Sequence, residues 1–254
     1  MKKKWLCLSV IGALLLAGCG QETPPPAGSG EPKKPDGAVQ QLPEDTLDAQ
    51  KIVTDFFASP YAYEITTEEH LGDDPGAPAP AAAEGKIIPS PYREYQMIDD
   101  IEIFYEGDGE LVTVMTRRGV NWVRTEEYRS YHFGFGQKDM TFTEISRQET
   151  TGQSSRVFAA SYTETLTSLD NEDLSLTAEI SQMYFIDPDT EQVIRIETDL
   201  SDYTQKRLML IDMADNGTSE ADAAAKVADI SKKEIMNITA YGDDVVIDPM
   251  PEAE

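Results

Sequence analysis

The alternation of hydrophobic and polar positions predicts a domain built mainly from antiparallel β-strands. The clearest case is residues 174–181, where apolar side chains alternate strictly with polar ones. Such an alternation places one set of side chains on each face of a strand. Weaker alternation recurs at Ile101/Ile103/Tyr105, Val120/Trp122, Tyr131/Phe133/Phe135, Ile194/Ile196 and Leu208/Leu210. Turn signals separate these runs, so we expect about eight to ten strands in a meander.

Two stretches have helical signals instead. The apolar positions of residues 44–57 have the i, i+3, i+4 spacing of an amphipathic helix; they are Ala49, Ile52, Val53, Phe56 and Phe57. We expect Asp45 or Thr46 to be its N-cap and Pro60 to stop it. Ser219-Glu220-Ala221-Asp222 is a capping box. It predicts a short helix through Val227 to Ile230, followed by a last strand from Lys233 to Tyr241.

Three segments lack a periodic apolar face. Residues 20–43 are rich in Pro, Gly and polar residues, which is typical of a flexible tether. After a predicted strand from Tyr61 to Glu68, the Pro/Ala/Gly-rich stretch from Gly72 to Gly85 predicts a mobile surface loop without a regular ladder. The tail from Asp248 is acidic, and we expect it to be frayed.

The N-terminus has the pattern of an export signal. Lys2, Lys3 and Lys4 precede an apolar run of about thirteen residues, from Trp5 to Ala17. Because a helix that spans a bilayer needs roughly twenty residues, the run is too short for a permanent transmembrane anchor. A charged region followed by a short apolar region predicts a cleaved signal peptide.

The sequence Leu16-Ala17-Gly18-Cys19 resembles the lipobox of bacterial lipoproteins. That resemblance implies cleavage between Gly18 and Cys19, a diacylglycerol thioether on Cys19, and anchoring to the extracytoplasmic face of the cell membrane by acyl chains. The alternative is an ordinary secretory signal with a chance cysteine near its cut site. The predicted organisation is a signal peptide (1–18), a lipidated tether (19–43), one β domain (44–250) and an acidic tail (251–254).

Charge and cysteine content exclude several kinds of protein. Removal of residues 1–18 lowers Lys+Arg from 21 to 18 against 47 Asp+Glu, so the formal net charge of the mature chain is −29. Such a charge repels nucleic acid and anionic lipid head groups, and no Lys/Arg cluster offsets it. Cys7 leaves with the signal, so disulfides and thiolate metal sites are excluded.

No motif predicts catalysis, a cofactor or a metal. His70 and His132 lack nearby ligand pairs, and there is no nucleophile elbow, P-loop or dinucleotide fingerprint. Asp187, Asp189 and Glu191 mimic the first ligands of a calcium loop, but Gln192 stands where that loop needs glycine. We therefore predict a plain hairpin turn there.

The order of elements, in a protein with a lipobox, resembles the LolA-like and LppX-like lipoprotein families. That order is a helix, a long meander and a short helix before the last strand; the stretches 183–197 and 238–248 also look like strand pairs of those families. The resemblance spans roughly residues 45–250. It implies a curved antiparallel sheet, an unclosed half-barrel, whose apolar concave face is covered by the N-terminal and the short late helix and encloses a cavity for acyl chains. The segment 72–85 has no place in that pattern.

Three functions remain as hypotheses. The first is a non-enzymatic protein that binds a lipid-like or other apolar ligand, and Trp122, Tyr131, Phe133 and Phe135 are candidates to line its cavity, although aromatic residues at this spacing also fill ordinary cores. The second is an envelope-tethered structural or protein-interaction module with a filled core, whose partner the sequence does not name. A surface hydrolase ranks last, because no nucleophile and base can be paired.

Overall fold

One open antiparallel sheet forms the body of the protein. The computed structural model describes residues 47–71, 82–107, 111–128, 140–150, 153–168 and 173–252. Within them lie eleven strands: β1 Tyr61–Leu71, β2 Ala82–Pro89, β3 Tyr92–Ile98, β4 Ile101–Gly107, β5 Leu111–Arg118, β6 Asn121–Tyr128, β7 Thr143–Thr150, β8 Gln153–Thr167, β9 Ser175–Asp187, β10 Gln192–Asp199 and β11 Ile230–Tyr241. Three helices accompany them in that part of the chain: α1 Ala49–Ala58, α2 Ser201–Asn216 and α3 Glu220–Val227.

The strand order is β6-β5-β4-β3-β2-β1-β11-β10-β9-β8-β7. Strands β6 and β7 are outermost, so the sheet does not close into a barrel. The predicted fold class, a mainly β protein with an open antiparallel sheet and a few helices, is confirmed, and the architecture is that of a half-barrel. Two meanders meet where β1 pairs with β11, with Tyr61 opposite Tyr241. The first and last strands of the domain therefore form the middle of the sheet.

The two faces of the sheet differ in what covers them. The face on which the helices pack is called the concave face here, and the opposite one the convex face. Phe56 of α1 lies over the β1–β11 junction, with its ring centroid 4.4 Å from that of Tyr61 and 5.5 Å from that of Tyr241. Helix α2 packs on β8, β9 and β11, and α3 packs on α2. No helix among the described residues is long and apolar enough to cross a bilayer.

The helix starts follow the local capping chemistry. Helix α1 begins at Ala49, because the Asp48 carboxylate accepts a hydrogen bond of 3.0 Å from the Lys51 amide. The predicted N-cap at Asp45 or Thr46 is therefore wrong, and both residues lie outside the described part of the chain. The N-cap of the predicted capping box before α3 is confirmed, since the Ser219 hydroxyl accepts a hydrogen bond of 3.2 Å from the Asp222 amide. The Asp222 carboxylate accepts from the same hydroxyl at 2.7 Å. A side-chain acceptor at an N-cap satisfies an amide that the helix leaves unpaired.

Further sequence predictions about secondary structure are wrong. The late helix does not reach Ile230, because α3 ends at Val227 and Ile230 begins β11. The alternation at Leu208/Leu210 does not mark a strand, because both residues lie in α2, where the consecutive Met209 and Leu210 are buried. Helix α2 ends at Asn216 and is capped by Gly217, whose φ of 64° suits the left-handed conformation after a helix. The loop predicted from Gly72 to Gly85 is wrong over Ala82–Gly85, which forms the start of β2 and pairs with β1. Residues 72–81 lie outside the described part.

The β9–β10 connection is the plain hairpin that the sequence predicts. The Asp187 carboxylate accepts a hydrogen bond of 2.9 Å from the amide of Asp189, as in an Asx turn. Glu191 completes the reversal with a φ of 53°. Asp187 is therefore used by the turn itself, and its side chain is buried.

The C-terminal strap, residues Val245–Glu252, crosses the convex face. Two residues of the strap, Val245 and Ile247, are buried. Lys86 Nζ donates to the Val246 carbonyl at 3.1 Å, and Arg93 Nη2 donates to the Asp248 carbonyl at 3.0 Å. The prediction that the tail is frayed from Asp248 onward is therefore wrong for the first residues of the tail. Farther on, Met250 and Pro251 line a convex-face groove together with side chains of β4, β5 and β6, namely Glu106, Thr113, Met115 and Arg124.

Candidate functional site

A row of half-buried apolar side chains crosses the concave face of β1–β4. It consists of Ile65, Ala83, Ile98, Ile101 and Ile103, called the apolar row below. Cross-strand pairing places the first four side by side, with Ile65 opposite Ala83, Ala83 opposite Ile98, and Ile98 opposite Ile101. Ile65 and Ile103 also pack against the main core cluster. The apolar row therefore borders the core, but its side chains remain partly exposed.

Elsewhere on the concave face many side chains are fully buried. On β9 the side chains of Ile180, Tyr184 and Ile186 are fully buried. The helices account for part of this burial, because within the described residues their main contacts with the sheet fall on β8–β11 and on the β1–β11 junction. Val112 and Val114 of β5 are buried as well. A concave, partly open apolar surface beside a closed core is the usual setting of a ligand site.

A buried polar group, called the Glu94 cluster, lies next to the apolar row. It comprises Tyr61, Tyr63, Tyr92, Glu94 and Gln96. The alternation of β3 directs Tyr92, Glu94 and Gln96 to the concave face, where only 2 % of Glu94 is exposed. Tyr63 Oη donates to Glu94 Oε1 at 3.3 Å, Gln96 Nε2 donates to the same oxygen at 2.5 Å, and Tyr92 Oη donates to Oε2. These bonds offset the cost of burying a carboxylate.

Two polar atoms of the cluster have no hydrogen-bond partner among the described residues. They are Tyr61 Oη and Gln96 Oε1, and both are buried. The Gln96 amide donates to Glu94 through its NH2 group, so its oxygen is left without this partner. An unsatisfied buried polar atom costs about 1–3 kcal/mol and calls for an explanation.

Tyr61 and Tyr63 remain protonated over the physiological range. Burial raises the pKa of Tyr61 and of Tyr63 well above the ordinary tyrosine value, and the nearby negative charge of Glu94 raises both further. Both causes penalise the phenolate form. Both hydroxyl groups thus keep the proton needed to donate a hydrogen bond, and Tyr63 donates to Glu94 Oε1.

Gly85 allows the Tyr63 ring to reach Glu94. Tyr63 and Gly85 are directly opposite on β1 and β2, and a Cβ added at Gly85 would lie 2.4 Å from Tyr63 Cζ and Oη. We predict that Gly85→Ala lowers the free energy of unfolding by about 1–3 kcal/mol, as overpacking does in a dense core. Urea denaturation followed by circular dichroism measures this loss.

The control for Gly85→Ala is the same substitution in a Tyr63→Leu background. There the ring is absent, so the extra methyl group should cost much less than in the wild type. An equal cost in both backgrounds would show that the close approach to Tyr63 is not the cause.

Of the residues predicted from sequence to line a cavity, the structure describes only Trp122. It lies on β6 on the convex face, opposite to the apolar row, with its ring centroid 5.5 Å from that of Phe104. The Arg117 guanidinium lies 5.0 Å from its ring and also pairs with Glu102. Contact of Trp122 with a ligand stays a prediction. Tyr131, Phe133, Phe135, Gly18 and Cys19 lie outside the described residues.

The two histidines are not brought together with other ligands in what the structure describes. His70 is an exposed residue of β1, opposite Ser231, and His132 lies outside the described ranges. Among the described residues, no group of three or more His, Cys, Asp or Glu side chains is placed to hold a metal ion. Sequence reasoning missed the Glu94 cluster, for which the only local signal is the spacing of Tyr92, Glu94 and Gln96 at every second position.

Comparison with known proteins finds similarity of fold. No family model and no curated protein sequence matches the chain. The solved structures that match include the Mycobacterium tuberculosis lipoprotein LppX, with 9 % identity, 80 % of this chain and 100 % of that chain covered, and a TM-score of 0.39. LprF from Mycobacterium bovis matches with 9 % identity, coverages of 79 % and 96 %, and a TM-score of 0.41. A LolA superfamily protein from Nitrosomonas europaea matches with 7 % identity, coverages of 81 % of this chain and 96 % of that chain, and a TM-score of 0.29.

Proposed function

We propose that this protein is a lipid-anchored extracytoplasmic lipoprotein that binds an apolar ligand, such as an acyl chain, on the concave face of its half-barrel without catalysing a reaction. The observation that carries this proposal is the apolar row, which the helices leave partly open beside a closed core. Covering the exposed part of these side chains is favourable by about 25 cal/mol per Å² of apolar surface. An acyl chain laid along the row would supply that cover.

The membrane attachment in this proposal is supported by the N-terminal sequence. Leu16-Ala17-Gly18-Cys19 matches a lipobox, and the proline- and glycine-rich residues 20–43 separate Cys19 from the domain. The tether leads into α1, which covers the β1–β11 junction on the concave face. The binding face and the tether are thus linked through the same helix.

The test of ligand binding is native mass spectrometry of the full-length protein purified in a mild detergent. We expect a non-covalent adduct that organic extraction removes, in addition to the mass of the covalent anchor. Ile103→Glu should lower the retained fraction by about tenfold or more, because it places a charge beside the bound chain. The matched control is Val246→Glu on the convex strap, where the side chain is 64 % exposed. It should leave retention unchanged.

Two results would favour the interaction module with a filled core. One is the absence of an adduct from wild-type protein under conditions that preserve its fold. The other is an adduct that Ile103→Glu and Val246→Glu diminish equally, since a ligand on the concave face should respond only to the first.

A further inference from the structure

The convex-face groove lies on the side of the sheet opposite to the apolar row. Its volume is about 540 Å³, which falls within the roughly 300–1,000 Å³ typical of small-molecule sites. Met115, of which only 1 % is exposed, lines the groove, and so do Met250 and Pro251 of the strap. The sheet and the strap thus provide an apolar surface inside the groove.

Charged side chains of both signs line the same groove. They are Arg124 of β6, Glu106 of β4 and Glu252 of the strap, and all three residues are exposed. Within the part of the chain that the structure describes, none of these side chains forms a hydrogen bond or an ion pair. A molecule bound in the groove would therefore find both a positive and a negative partner.

The strand register keeps Arg124 and Glu106 apart. Arg124 lies opposite Met115 and Glu106 lies opposite Thr113, so the two charged residues flank β5 on its two sides. Their backbones are two strand spacings apart, about 10 Å, and are offset by two residues along β5. A ligand that contacts both must carry opposite charges several ångströms apart. The termini of an extended tripeptide, at about 3.5 Å per residue, have such a separation.

We propose that the convex-face groove binds short peptides that have free termini and apolar side chains. Arg124 holds the carboxylate, and Glu106 and Glu252 hold the ammonium group. The peptide side chains cover Met115 and Met250. A zwitterion has no net charge, so the net charge of −26 does not repel it as it would repel an anion. This site goes beyond the proposed function, because it lies on the other face of the sheet.

The experiment uses the peptide Ala-Leu-Ala in four forms. The free peptide carries both terminal charges, the N-acetylated peptide only the carboxylate, the C-terminal amide only the ammonium group, and the doubly blocked peptide neither. Their affinities for the full-length protein in a mild detergent are measured by isothermal titration calorimetry at pH 6.5, where the peptide amine and the glutamates are charged. We expect the free peptide to bind about fivefold to tenfold more tightly than a peptide blocked at either end.

Two variants separate the contributions of the two termini. Arg124→Gln should remove the difference between the free peptide and the amide and keep the difference between the free and the acetylated peptide. Combining Glu106→Gln with Glu252→Gln should have the converse effect. The matched control is Arg118→Gln, which removes an exposed arginine that lies opposite Ile101 of the apolar row. It should leave all four affinities unchanged. The substituted residues are exposed, so all variants should keep the urea midpoint of the wild type.

Several results would overturn the proposal. Equal binding of the four forms would mean that the groove takes apolar side chains without recognising the termini. Tightest binding of the amide would show selection for positive charge alone. A difference between the free peptide and the amide that survives Arg124→Gln would place the carboxylate elsewhere, and failure of the free peptide to bind would remove the site. Each of these results would leave the proposed function standing, because native mass spectrometry tests the concave face separately.

Discussion

Replacing Cys19 by alanine should move the protein from the membrane pellet to the soluble fraction. Burial of an acyl chain contributes about 0.8 kcal/mol per methylene, so a single chain holds a protein marginally while two or three hold it firmly. In the variant no thiol is available for the thioether, so the acyl chains of the proposed anchor cannot be attached at this position. Fractionation by ultracentrifugation, with immunoblotting of both fractions, measures the change.

Cys7 provides the matched control for this experiment. It is the chain's other cysteine and lies in the apolar part of the signal. Cys7→Ala should therefore stay in the pellet and should incorporate labelled palmitate like the wild type, whereas Cys19→Ala should incorporate none. The lipoprotein assignment would be lost if the wild type took up no palmitate, or if Cys19→Ala stayed on the membrane.

Ending the chain after Asp244 should lower the free energy of unfolding by about 3–6 kcal/mol. This truncation removes Val245 and Ile247, each of which contributes about 1.5–3 kcal/mol when fully buried. It also leaves Lys86 and Arg93 without the strap carbonyls to which they donate. Because small domains are stable by only about 5–15 kcal/mol, the loss should be visible as a large shift of the urea midpoint.

A chain that ends after Glu252 is the control for the truncation. It keeps the whole strap and removes only the last two residues, so its urea midpoint should equal that of the full-length protein. If the chain that ends after Asp244 also unfolded at the wild-type midpoint, the strap would not contribute to stability. Val246→Glu should be tolerated as well, because Lys86 binds the backbone carbonyl of this residue while its side chain is exposed.

The local elements of this protein were determined by short stretches of sequence. The strict alternation in residues 174–181 lies within β9 from Ser175 onward, and the apolar spacing of Ile52, Val53 and Phe56 lies on the buried face of α1. Ser219 caps α3, as its position before Asp222 predicts. Such features are readable because each depends on contacts between residues a few positions apart, so the sequence within one window contains both partners.

Only the tertiary structure decided which side of β3 faces inward and which distant strands pair. In residues 92–98 the alternate set Arg93, Tyr95 and Met97 is no less apolar than Tyr92, Glu94 and Gln96, yet the second set is buried. Residues Ala82–Gly85 are part of the sheet because they pair with β1. A side chain at position 85 would overlap the Tyr63 ring, so this position needs glycine. The start of the acidic tail is likewise held on the convex face, where Arg93 donates to the Asp248 carbonyl. In each case the burial that stabilises the segment comes from residues distant in sequence, so neither the Glu94 cluster nor the apolar row can be recognised from local pattern alone.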